Sequence, residues 1–238
     1  MAKGPALVAI DTCWNELPYL KNQIPQLLTV FDKVHLVDDF STDGTKEWIE
    51  SINSPRIDFF QRKFDCCASQ FDAVLQRADK DNTWVWCLTA DELPTKYVFN
   101  NIRSIINDAD KRNVDRIWST VFHLRGEREI AEEIGGEIRL FKNDVAHKCI
   151  YTDFPHERLH GEFDGHCANQ YNPAFAFVHF KQCDAEKIHI WKTDYVEKGV
   201  YSLWDVNRRL NYPTIALPDF IEYSISDELR SYLKWTRT

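Results

Sequence analysis

Over the first ninety residues the hydrophobic pattern switches repeatedly between a strand and a helix period. Ala6 to Ile10, closed by Asp11, is a short continuous apolar run, as expected of a strand covered on both faces. From 15 to 31, Leu17, Leu20, Ile24, Leu27, Leu28 and Phe31 recur at helical spacing, and Pro25 is expected to kink or divide that helix. Further strands are predicted at 33–39 (KVHLVDD), 56–60 (RIDFF) and 83–88 (TWVWCL). Between them lie a helix running to Ile52 after the cap-forming Ser41-Thr42-Asp43, and a helix over 68–78 with Phe71, Val74, Leu75 and Ala78 on one face. Repeated β–α units of this length imply a mostly parallel sheet with helices on both faces.

The second half is less regular. A helix is predicted over about 95–110 and strands over 116–124, 136–143 and 174–180, followed from Asp184 by a mainly helical tail rich in Trp, Tyr and Lys. There is no internal repeat, low-complexity segment or Gly/Ser linker, so one domain over 1–238 is expected.

Composition narrows the class only a little. With 44% hydrophobic and 28% charged residues the chain is an ordinary globular sequence. A formal net charge of −8 argues against generic nucleic-acid binding. The apolar run at the N-terminus is too short for a signal-peptide core, and no downstream run is long enough to span a membrane. Cys13, Cys66, Cys67, Cys87, Cys149, Cys167 and Cys183 form no C-x-x-C pair, which fits reduced thiols and a cytoplasmic location.

Chemistry gathers at the strand ends. In parallel α/β sheets ligands bind beyond the carboxyl ends of the strands. Three predicted strands end in polar clusters: Asp11-Thr12 with Asn15-Glu16, Asp38-Asp39, and Thr89-Ala90-Asp91-Glu92. In VDDFSTDGT a carboxylate at a strand end suits a base or ribose, and the helix start behind it suits phosphate; the same residues also suit a plain helix cap. In WVWCLTADELP the strand-end carboxylates suit a hard divalent cation with phosphate oxygens completing its shell, or an acidic helix start.

Taken in order, these stretches resemble family 2 glycosyltransferases of the GT-A fold. ALVAIDTCWNELPYL is similar to that family's first strand and Asn-Glu turn, VDDFSTDGT to its V-D-D-G-S-T-D-G-T, and CLTADE to its D-x-D metal motif. The likeness covers 6–94 and continues more loosely through EIRLFKN (137–143), PHERL (155–159) and FVHF (177–180). The resemblance implies an α/β GT-A fold with a mixed, mostly parallel sheet flanked by helices. It divides the chain into a nucleotide-sugar-binding half at about 1–94, an acceptor half at about 95–182 and a tail at about 183–238. It also implies transfer of a sugar from a nucleotide-diphosphate sugar to a carbohydrate or other hydroxyl acceptor, with Mn²⁺ or Mg²⁺. Asp11, Thr12, Asn15, Glu16, Asp38, Asp39, Thr89 and Arg139 would face the donor, Arg139 and Lys181 at its diphosphate. Asp91, Glu92 and His179 would face the metal. Glu157, beside His156, would be the base of an inverting displacement, with Asp153, Glu162 and Asp164 as substitutes. Two positions depart from the family: Phe40 stands where V-D-D-G-S has Gly, and Thr89 replaces the first Asp of D-x-D.

HERLHGEFDGH (156–166) also matches the H-E-x-x-H of zinc proteases, with a third His at the right spacing. That motif needs a helix. Pro155 in front and Gly161 behind leave room for one isolated turn, so the protease reading is set aside. A nucleotidyltransferase would carry a Gly-rich basic loop after the first strand, and DTCWNELPYL has none. A non-catalytic nucleotide binder is the other alternative, favoured by Thr89.

Overall fold

The computed structural model describes residues 4–144, 150–152, 158–163, 165–169, 172–180 and 213–233. The first ninety residues form the β–α repeat that the pattern implies: β1 (Ala6–Cys13), α1 (Leu17–Val30), β2 (Lys33–Asp38), α2 (Thr45–Ile52), β3 (Ile57–Gln61), α3 (Cys67–Leu75) and β4 (Thr83–Thr89). A short β5 (Glu92–Pro94) leads into α4 (Lys96–Lys111), whose cap Thr95 accepts from Val98 N–H and donates to the Ala174 carbonyl at 2.7 Å. The chain continues through β6 (Val114–Gly126), β7 (Glu129–Asn143), β8 (Ile150–Thr152), β9 (Arg158–His160), β10 (His166–Asn169), β11 (Ala176–His179), β12 (Thr214–Ala216) and α5 (Asp227–Tyr232).

Ten strands make one sheet in the order β3-β2-β1-β4-β7-β6-β11-β5, with β10 also beside β6 and β12 beside β7. Strands β1 to β4 are mutually parallel, and β10 and β11 run parallel to β6. The β7 strand joins the two halves by antiparallel pairing with β4 on one edge and β6 on the other. The expectation of a mixed, mostly parallel α/β sheet holds.

Alternation along β1 explains the two-sided core. Leu7, Ala9 and Cys13 pack with α1, α4 and Trp84, Trp86 and Leu88 of β4. Val8 and Ile10 face the other way, onto Phe71, Val74 and Leu75 of α3 and Val85 and Cys87 of β4. A third cluster, around Phe122, Leu124, Val178 and Phe180, includes Leu217, Ile221 and Leu229 of the C-terminal segment.

Some expectations need adjusting. The α1 helix runs undivided through Pro25, with Ile24 and Leu27 fully buried beside it. Strands β6 and β7 form a hairpin, and β7 begins seven residues before its apolar stretch. The 183–238 segment was expected to be mainly helical; residues 181–212 lie outside the described set, and the part described contains β12 as well as α5. Arg158–His160 is a strand paired with β8, so His160 does not stand on a helix as a zinc-protease motif requires. No helix among the described residues is long and apolar enough to cross a membrane.

Candidate active site

The loops after β1, β2 and β4 meet because those strands are adjacent and in register. Cys13 lies opposite Asp38, and Thr12 opposite both Val37 and Thr89. The backbone closes across the gaps: Asp39 N–H donates to the Cys13 carbonyl at 3.1 Å and Ala90 N–H to the Thr12 carbonyl at 3.2 Å.

Around β2 the carboxylates have different tasks. Asp38 is fully buried and accepts from Ser41 N–H and Oγ and, at 2.9 Å, from Gln61 Nε2, so it shapes the turn. Asp39 is half-buried and accepts from Phe64 N–H at 2.8 Å. Asn15 accepts from Thr42 N–H at 2.7 Å and donates its own backbone N–H to Ser41 Oγ at 2.7 Å, tying the β1 turn to the β2 turn. Asp43 accepts from Leu17 N–H at 2.9 Å and from Thr45 N–H at 3.1 Å, so one carboxylate satisfies the first turns of both α1 and α2. Phe40 takes the glycine position of this turn with φ of 50°. It keeps the left-handed backbone that the turn requires, despite its Cβ.

Asp11 is the least ordinary group. It is fully buried, and among the described residues neither carboxylate oxygen makes a well-formed hydrogen bond. Burial pushes its carboxyl well above the ordinary range; Glu16 adds to the rise, the adjacent Thr12 N–H offsets part of it, and Glu92 and Asp91 raise it further. Glu16, at the start of α1, accepts from Trp14 N–H at 3.4 Å.

The turn after β4 is held from several sides. Gln23 of α1 donates to the Thr89 and Glu92 carbonyls at 3.0 and 2.7 Å. Phe180 N–H donates to the Asp91 carbonyl at 2.9 Å. Thr89 Oγ1 donates to Asp91 Oδ1 at 2.7 Å, so the hydroxyl in the lost carboxylate's place orients the carboxylate that remains. The other oxygen, Oδ2, lies 3.3 Å from His179 Nε2, a contact made across 88 residues of chain. Glu92 is engaged differently. Oε1 pairs with Arg139 at 2.8 Å and Oε2 accepts from Thr89 N–H at 3.0 Å. Burial raises the Glu92 carboxyl, and the Arg139 guanidinium works against that rise. Arg139 also pairs with Glu137 at 2.8 Å and stacks on Phe177.

The structure therefore brings Asp11, Thr12, Asn15, Glu16, Asp38 and Asp39 together at the ends of β1 and β2. It brings Thr89, Asp91, Glu92, Arg139 and His179 together around the turn after β4. Glu157, His156 and Lys181 lie outside the described residues, as do Asp153 and Asp164. Ser41, expected as a helix cap, instead bonds Asp38 and Asn15, and three participants were missed from sequence: Gln23, Gln61 and His123. His123 lies opposite His179 in the β6–β11 register, with ring centroids 5.1 Å apart. The matching Phe-His and Val-His strand ends, VFHL and FVHF, were the available signal. The others are contacts between elements and leave no local pattern. Among the described residues, no three His, Cys, Asp or Glu side chains are placed to hold a metal ion together.

A parallel β3-β2-β1-β4 unit with acidic groups at its carboxyl ends, extended by an antiparallel hairpin, defines an α/β fold of the GT-A type. The chain belongs to glycosyl transferase family 2, whose model matches residues 9–156, more than half of the sequence. Among solved structures, the S. aureus TarS 1-349 crystal structure is similar at 18% identity and a TM-score of 0.38, covering 50% of this chain and 35% of that one. A second TarS crystal structure gives 19% identity and a TM-score of 0.43, over 51% of this chain and 22% of that one. The chain thus spans well under half the length of these structures. No curated protein matches the sequence.

Proposed function

We propose that this chain is a metal-assisted glycosyltransferase that takes a nucleotide-diphosphate sugar as donor. The observation that carries the reading is the Asp91–His179 pair at the carboxyl end of β4, one oxygen and one nitrogen 3.3 Å apart. A carboxylate and an imidazole are ligands that Mn²⁺ accepts, and Mn²⁺ or Mg²⁺ with two protein ligands completes its shell with diphosphate oxygens. The donor set fits a cation that binds together with the diphosphate, and when bound that cation supplies Lewis-acid stabilisation to the departing nucleotide.

The chain's own residues do the rest. Asp39 and the turn carrying Asp11, Thr12, Asn15 and Glu16 hold base and ribose, with Asp38 fixing the turn after β2 through Ser41. Thr89 orients Asp91. Glu92 and Arg139 form the buried pair that keeps the Asp91 turn in place, which leaves Arg139 little positive charge for the diphosphate. Glu157 removes the proton from the acceptor hydroxyl as that oxygen attacks the anomeric carbon, giving inversion in one displacement. The division at about 94 and 182 follows this reading: donor residues come from β1 to β4, and acceptor residues from the part after them. The cytoplasm is its proposed location, on the reading of the cysteines as reduced thiols.

The test is release of nucleoside diphosphate from a donor panel in the presence of Mn²⁺, comparing wild type with Asp91→Ala. Metal-dependent release that Asp91→Ala abolishes, with the melting temperature retained, is the expected result. Release that is indifferent to both metal and Asp91 would remove the metal assignment. Tight nucleotide binding without turnover by any donor would favour the non-catalytic alternative.

A further inference from the structure

Asp91 and His179 are held 3.3 Å apart by a strand ladder that ends at the pair. Strand β11 runs antiparallel to β5, with Phe177 opposite Pro94, Val178 opposite Leu93 and His179 opposite Glu92. One rung further, Phe180 N–H donates to the Asp91 carbonyl at 2.9 Å. The residue after His179 thus grips the main chain of Asp91, and any shift of Phe180 is felt at both members of the pair.

Phe180 is anchored from the other face of the sheet. Val178 and Phe180 both belong to the apolar cluster that the C-terminal segment completes, so alternation turns the His179 imidazole to the opposite side. The Phe180 ring is buried. Its centroid lies 5.9 Å from that of Tyr19 in α1 and 6.1 Å, edge-on, from that of Tyr223 in the C-terminal segment. Both distances fall in the range of attractive aromatic contacts. Tyr223 is pinned at its far end as well, where its hydroxyl donates to the Glu127 carbonyl in the β6–β7 turn.

The segment that carries Tyr223 is docked on three elements. Lys96 N–H, at the start of α4, donates to the Glu222 carbonyl at 2.7 Å. Arg128, in the β6–β7 turn, donates to the Ile221 carbonyl at 2.8 Å. Asn22 of α1 accepts from Ser226 N–H at 2.8 Å. Its neighbour Gln23 holds the Thr89 and Glu92 carbonyls, so one turn of α1 fastens the C-terminal segment and the Asp91 turn together. Neither β11 nor this segment lies within residues 9–156, which the family model matches.

We propose that Tyr223, on the face of the sheet away from the His179 imidazole, is a positioning residue for the Asp91–His179 pair and acts through Phe180. The proposal rests on the reading of that pair as cation ligands and assigns their alignment to the C-terminal segment. Tyr223 acts on the backbone that carries the ligands and takes no part in the chemical step.

The test uses the full chain and calorimetric titration with ADP, CDP, GDP and UDP, each run once with Mn²⁺ and once with EDTA. The ratio of the two affinities reads the contribution of the cation, and the EDTA value reads the remaining nucleotide contacts. Wild type should give a ratio far above one, and Asp91→Ala a ratio of one. In Tyr223→Ala the ratio should fall roughly tenfold, the low end for residues that orient metal ligands, while the EDTA value stays unchanged. Tyr223→Phe keeps the ring and should retain most of the wild-type ratio. Val34→Ala truncates a fully buried side chain at the amino end of β2. It should lower the melting temperature and leave the ratio intact. A wild-type ratio in Tyr223→Ala, or an equal loss in Val34→Ala, overturns the positioning role and leaves the metal pair standing. A wild type that binds no nucleoside diphosphate, or binds it with a ratio of one, overturns the metal reading and the positioning role with it.

Discussion

Asp11→Asn is a perturbation whose outcome follows from one buried group. The carboxyl is fully buried, with neither oxygen in a well-formed hydrogen bond among the described residues, and burial holds its proton to a higher pH than the ordinary aspartate value of 3.8. Between those two values the native state binds more protons than the unfolded state, so stability falls as pH rises. The contribution is fully present below the unfolded value and is lost as pH climbs through the folded one. The slope is at most about 1.4 kcal/mol per pH unit. Asparagine keeps the shape and polarity of the side chain but cannot titrate. The stability of Asp11→Asn relative to wild type should therefore grow steadily from pH 4 upward. In a domain of this size that slope is about 3–6 °C of melting temperature per pH unit. Paired urea or thermal melts at matched ionic strength, stepped from pH 4 to 8, read it directly. Differencing the two proteins cancels the matching slope from Glu92, whose carboxyl is also raised, and leaves the packing cost of the amide as a pH-independent offset. A difference that stays constant across the range would refute the argument, because Asp11 would then be ionised in the folded protein.

Phe40 is 55% exposed in a left-handed backbone, so its ring recovers little of the conformational cost. Phe40→Gly should raise stability by about 0.5–1 kcal/mol in a denaturant melt. Arg139→Met leaves Glu92 buried without its cation and should cost about 3–5 kcal/mol, read as a lower urea midpoint at unchanged slope. Thr95→Ala removes the cap of α4 and its bond to Ala174, with an expected loss of about 1–2 kcal/mol in the same assay. Glu157→Gln should retain donor binding by calorimetry but transfer roughly 10²-fold more slowly.

The first four strands were legible in the sequence because each is buried on both faces and reads as an unbroken apolar run. The acidic strand ends were legible for the same reason: Asp38 and Asp91 interrupt or follow such runs. The early part of β7 was not legible, since Glu132, Glu133, Gly135 and Gly136 carry no apolar period. Strands β5, β8 and β9 have three residues each, too few to show a period. Within the site, the pattern marked residues as polar and near a strand end but not what each one touches. Glu92 and Asp91 look equivalent in TADEL. One is paired with Arg139, 47 positions away, and the other with His179, 88 positions away. Asp11 stands at the end of an apolar run, and only the packed fold shows that it is fully buried with neither oxygen in a well-formed hydrogen bond among the described residues.

The most direct test of the central claim is a thermal-shift titration of wild type and Asp91→Ala against nucleotide-diphosphate sugars, with and without Mn²⁺. A donor at 100 times its dissociation constant adds about 2.7 kcal/mol, or about 5–11 °C in a domain of this size. The expected result is a shift with donors of one base that needs Mn²⁺ and disappears in Asp91→Ala. No shift with any donor, or a shift that Asp91→Ala preserves in full, would contradict it.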